Sequence, residues 1–240
     1  MKTQWQQAWM ITKTELGRSK IGLVASLILN GFIALSVYSF WNGVQLKAGV
    51  EPLNHFLLDY MSIIGVTNLG FIFSARHFKY METDSYRNYL RKLRTMPIDM
   101  RTIVSSRFIQ IGMNTLMNGS IYFGVLYILM LANQPVSVIA YAGFVAFLLC
   151  VSLLMHMVYI RFEWTQSGRG YFFVFLGIIA VYLLVSILLY LSGVNFTLSI
   201  MFLAEHYAIL TILISLIGLV LLSVLGYRSN CKLLMKQDLT

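Results

Sequence analysis

"FIQIGMNTLMNGSIYFGVLYILMLANQPVSVIAYAGFVAFLLCVSLLMHMVYI", residues 108–160, contains no Lys, Arg, Asp or Glu in 53 positions. As one helix it would be about 80 Å long, against a bilayer hydrocarbon core of about 30 Å, so it must fold back. Asn133, Gln134 and Pro135 supply the turn. The stretch therefore reads as two membrane spans, at 106–132 and 136–160.

The rest of the chain reads the same way. Of its 240 residues 58% are hydrophobic and only 11% are charged, where soluble domains carry about a quarter charged residues. Further charge-poor runs predict spans at 21–41, 53–75, 171–191 and 206–227. The run after the fifth span is broken at Ser192-Gly193-Val194-Asn195, which leaves a short apolar piece, 196–204, before the last span. The expected fold is all-α: one transmembrane domain over 1–240, with six transmembrane helices, an N-terminal interfacial arm over 1–20, and a polar segment over 76–105.

Charge sets the orientation. Every one of the 18 Lys and Arg residues except Lys47 falls on the same side of the six predicted spans, and Lys and Arg mark cytoplasmic loops. Both termini are thus expected in the cytoplasm, and the chain in a cell membrane. The net charge of +9 follows from this bias and from attraction to anionic lipid, so no nucleic acid is needed as a partner. No cleavable signal is expected, since 21–41 is too long for a signal h-region and no small-residue cleavage site follows it. Cys150 and Cys231 imply no disulfide framework.

Several chemistries find no motif. There is no phosphate-binding G-x-x-x-x-G-K-[ST], no H-E-x-x-H zinc pair, and His55, His77, His156 and His206 are scattered. Neither a catalytic residue nor a metal site is expected. Among the acids only Asp59 falls within a predicted span; it is expected at the hydrated outer interface rather than as an ion ligand.

Residues 85–96 have helical periodicity. Tyr86, Tyr89, Leu90, Leu93 and Met96 form one face, and Arg87, Arg91 and Arg94 another. Glu82 and Asp84 suit the helix N-terminus, Pro97 stops the helix, and Asp99 can cap the next one. The pattern alone serves lipid anchoring and partner docking equally well.

With the amphipathic arm and six spans, the segment Leu93, Pro97, Ile98, Arg101, Ile103, Val104 and Arg107 resembles L-x-x-x-P-I-x-x-R-x-I-V-x-x-R of the membrane subunits of type 2 ATP-binding cassette (ABC) exporters. The resemblance implies that Tyr86, Arg87, Tyr89, Leu90, Arg91, Leu93, Arg94 and Pro97 form a coupling helix docked on a separate cytoplasmic ATPase. ATP and magnesium would be bound there and not by this chain. It also implies a second permease chain, identical or different, and an interfacial role for Trp5 and Trp9. Only 196–204 can supply the family's outer hairpin, which is abridged here, and polysaccharide cargo lacks its usual extra helix.

Two polar stripes remain. Gly22, Ser26 and Asn30 lie one turn apart, fit for a dimer seam or for packing within the chain. Gln110, Asn114 and Asn118 share a face with Arg107, fit for interhelical hydrogen bonds or for cargo contact. Apolar span walls suit an amphipathic peptide or hydrophobic compound as cargo. The alternative is a non-transporting membrane scaffold or assembly factor that recruits a soluble partner.

Overall fold

Helix caps and breaks in the sequence divide the chain into nine described helices in a computed structural model that describes residues 3–45, 52–72, 85–133 and 136–236, apart from the side chains of residues 52, 85–87 and 94. They are α1 (Gln4–Arg18), α2 (Lys20–Gln45), α3 (Pro52–Asn68), α4 (Ser85–Arg94), α5 (Met100–Asn133), α6 (Val138–Thr165), α7 (Gly168–Leu191), α8 (Phe196–His206) and α9 (Ala208–Lys236). The expected caps at Glu82 and Asp84, Lys47, the turn residues 134–135, and the side chains of Tyr86, Arg87 and Arg94 lie outside the described residues.

Among the described residues, α2, α5, α6, α7 and α9 are long and apolar enough to cross a membrane. The chain is an α-helical, membrane-embedded protein. Lys20, Arg101, Arg161, Arg169 and Arg228 mark the same end of these five helices, called here the basic end.

The second predicted span is interrupted. It was expected to run through 53–75; α3 stops at Asn68 after 17 residues, about 25 Å, residues 69–72 are not helical, and 73–75 lie outside the described residues. The cause lies in α5. Asn118 Nδ2 donates to the carbonyls of Leu69 and Phe71 at 2.9 and 2.8 Å, and Asn114 Nδ2 donates to Gly70 at 2.9 Å. These amides take up backbone oxygens that a continuing helix would bond itself, a requirement for any irregular backbone at membrane depth. Gly70 is needed because the His156 ring occupies the space of its missing side chain: a Cβ there would sit 2.1 Å from Nε2.

The other breaks fall where the sequence places them. Thr3 and Gln6 form a capping box at the start of α1. Asp99 Oδ1 accepts from the Arg101 N–H at the foot of α5. After α7, Gly193 takes a left-handed φ of +70°, and Asn195 caps α8 by accepting from the Leu198 N–H at 2.9 Å. The last span begins at Ala208 rather than 206 and continues to Lys236 instead of ending at 227, because Asn230, Cys231 and Leu234 are buried beyond the predicted end.

Two apolar cores result. The larger joins α2, α3, α5, α6 and α8 around Ala34, Leu58, Leu69, Tyr122, Leu148 and Ala204. The smaller lies at the basic end, where Leu90 and Leu93 of α4 meet Ile103 and Val104 of α5, Ile160 and Trp164 of α6, and Leu234 of α9. Gly218 and Gly226 let α9 settle onto α6: Cβ atoms there would stand 2.9 Å from Cys150 Sγ and 2.2 Å from Met157 Sδ.

Candidate functional site

The described surface richest in functional groups lies at the basic end, around α4. Its amphipathic period is real, but its apolar face is already used within the chain. Leu90 and Leu93 are 3% and 6% exposed in the smaller core, and Tyr89 packs beside them. Their expected contact with a partner is therefore corrected: burying leucines against the chain's own helix feet removes them from any docking surface. The exposed side consists of Asn88, Arg91, Lys92, Thr95, Met96 and Pro97.

The N-terminal arm forms the other side of this region. Ala8 and Thr12, one turn apart, face α5, and Thr12 Oγ donates to the Ser106 carbonyl at 2.9 Å. Trp5 and Trp9 point away and are exposed. Between α1 and α4 lies a cleft of about 520 Å³, with Met10, Met96 and Ile98 as apolar lining and Glu15, Arg18 and Lys92 as charged groups.

Beneath α4 is an ion pair that the spacing of charges did not reveal. Arg107 lies 2.5 Å from Glu163 and also donates to Gln110 Oε1 at 2.7 Å. Glu163 is only 6% exposed, so losing either partner would strand a buried charge. The signal was faint: Glu163 stands three residues past the predicted end of its span, and α6 carries it inward by running on to Thr165.

The third-span polar stripe thus divides in two. Gln110 belongs to the Arg107–Glu163 group, while Asn114 and Asn118 hold the end of α3. Beside them His156 is buried, with Nδ1 2.6 Å from the Ser152 carbonyl, and Phe71 packs 5.1 Å from its ring. Asn114 Oδ1 and His156 Nε2 are buried without a hydrogen-bond partner among the described residues.

Of Gly22, Ser26 and Asn30, the two polar residues pack within the chain, the second of the two expected roles, while Gly22 is half-exposed. Ser26 and Asn30 are each 2% exposed in the single chain; Ser26 Oγ donates to the Gly22 carbonyl, and Asn30 Nδ2 to that of Ser26. A dimer seam cannot use side chains the chain has already buried. The outward face of α2 is Ile21, Val24, Ile28, Phe32 and Leu35.

Asp59 is not hydrated. At 2% exposure it accepts the Phe196 and Thr197 N–H groups, both at 2.8 Å, so its charge meets the positive N-terminus of α8. Asn195 Nδ2 reaches the His55 carbonyl at 3.2 Å alongside it. The sequence hint was an acid inside an apolar run, but its partner lies 137 residues away.

Among the described residues, no three His, Cys, Asp or Glu side chains converge as a metal site, and both cysteines are free. The arrangement offers a basic surface braced on membrane helices, within the architecture of a polytopic membrane protein. No known protein family, no curated protein and no solved structure matches the chain.

Proposed function

We propose that the chain is the membrane subunit of an ATP-driven ABC exporter, with its basic end in the cytoplasm of a bacterial cell and its α4 surface docked on a separate ATPase subunit. The observation that carries this reading is the bracing of α4. Its exposed side bears Arg91 and Lys92, while Leu90 and Leu93 key it to the feet of α5, α6 and α9. A partner that moves α4 would move three candidate spans with it, because packed interiors transmit displacement rather than absorb it. The sequence contains no phosphate-binding loop, so ATP and magnesium belong to the partner.

A pair of such chains would enclose the path. With Ser26 and Asn30 of α2 turned inward, the surfaces left for pairing include the apolar outer faces of α2, α7 and α9. Walls of Leu, Ile, Val and Phe suit an amphipathic peptide or hydrophobic compound.

The test is co-purification of the intact chain in mild detergent with the ABC ATPases encoded near it. One of these is expected to co-elute and to be lost on Arg91→Glu with Lys92→Glu, while the membrane chain keeps its own elution profile. Absence of any ABC ATPase, or the same recovery with the double variant, contradicts the reading; stable recovery of a different soluble protein supports a scaffold.

A further inference from the structure

A trench of about 540 Å³ runs between α5, α6 and α9, away from both the α4 surface and the outer faces of α2 and α7. Its floor is one row of α6, Val145, Leu149, Leu153 and Met157, four residues apart and so on a single face. One wall is α5 between Phe108 and Phe123, kept low by Gly112, Thr115 and Gly119; the other is Leu219 and Ser223 of α9. Apart from hydroxyls of Thr115, Ser120 and Ser223, the lining is hydrocarbon. A Cβ added at Gly112 would meet nothing within 4 Å, so this part of the trench is open space.

The trench has a direction. At the basic end α5 and α9 touch through Phe108 and Tyr227, edge to face at 5.7 Å, and Ser105 Oγ lies 3.3 Å from the Tyr227 hydroxyl. Aromatic rings with a polar tip suit the membrane boundary. Just beyond them the exposed Arg101 stands two turns before Phe108 on its face of α5, and Arg228 follows Tyr227. Asp99, a carboxylate, lies beside Arg101 and accepts its backbone N–H at 3.2 Å. From Phe108 to Phe123 the helix rises about 22 Å, more than one leaflet of an about 30 Å core but less than the whole.

We infer that this trench binds one acyl chain of a membrane phospholipid from the leaflet at the basic end, its phosphate facing Arg101 and Arg228. A spanning helix from a second copy would need a groove through the full bilayer, and this one stops at Phe123, which is packed into the larger core. A lipid chain ends within the bilayer and brings an anion to the cationic end. The inference does not depend on the exporter reading.

The full-length protein is placed in phosphatidylcholine vesicles containing a phosphatidylglycerol probe with a mid-chain diazirine, irradiated, and mapped by peptide mass. Leu116 is expected to be labelled several-fold more than Ile128 and Leu131, which lie on α5 beyond the end of the trench, although the three are exposed at 70%, 67% and 52%. Gly112→Phe, which fills the trench, and separately Thr115→Leu, should cut labelling at Leu116 while labelling at Ile128 and Leu131 and the elution profile stay unchanged. Arg101→Ala with Arg228→Ala should lower it for this anionic probe. Labelling at Leu116 no stronger than at Ile128 and Leu131 means ordinary surrounding lipid and overturns the inference. So does a disulfide between two copies carrying Leu116→Cys, formed where lipid adducts are missing.

Discussion

Asn118 bonds two backbone carbonyls from its place in α5, and so fixes where a different helix ends. Replacing it with Leu leaves the Leu69 and Phe71 oxygens buried without their donor, a loss of roughly 1–3 kcal/mol. Ser120→Ala, two residues along and on an exposed site, should stay within about 0.5 kcal/mol. Thermal unfolding in detergent separates the two. Gly70 makes a sharper pair with His156. Gly70→Ala should cost about 1–3 kcal/mol by overpacking, and much less in a His156→Ala background, where the ring that blocks the new Cβ is gone. Additive losses across this cycle would refute the contact. The shared face of Asn114 and Asn118 was legible from their spacing. What they hold was not, because the acceptors are main-chain oxygens that exist as free groups only where α3 stops, and the sequence there has a lone glycine rather than a proline.

Among the elements, α4 and α8 show how far periodicity carries. The three- and four-residue steps of Tyr89, Leu90 and Leu93 announce a helix with an apolar face, and α4 is that helix. Period says nothing of what covers the face; here it is the chain's own helix feet, which leaves Arg91 and Lys92 outward. For α8, the break at Ser192 to Asn195 was legible from turn residues, while its dependence on Asp59 was hidden by sequence distance. Asp59→Leu strips two buried N–H groups of their acceptor and should cost roughly 2–4 kcal/mol. Asp59→Asn keeps one acceptor and should cost about 1 kcal/mol. Equal stability of both variants with the parent, read by thermal unfolding in detergent, would contradict the cap.

For the molecule as a whole, composition gave away the membrane and charge gave one basic end, since both properties are sums over many residues and tolerate local errors. The count of spans was less secure because a short broken helix carries the same apolar signal as a full one. Cargo left no trace, because hydrocarbon walls name no chemistry. Orientation is directly testable in a chain whose Cys150 and Cys231 have been replaced by Ala. A single cysteine at Thr95, exposed beside α4, should react with a membrane-impermeant maleimide only in inside-out vesicles, and one at the exposed Val194 only in intact cells.

The central claim, that ATP hydrolysis on another subunit is felt through α4, is tested most directly by ATP turnover of the reconstituted complex. In proteoliposomes containing the chain and its ATPase, Arg91→Glu with Lys92→Glu should reduce turnover severalfold while leaving the membrane chain folded, whereas Leu90→Asp should unfold the basic end and lower the amount of intact chain. Turnover unchanged by the surface pair, with the chain intact, would contradict the account.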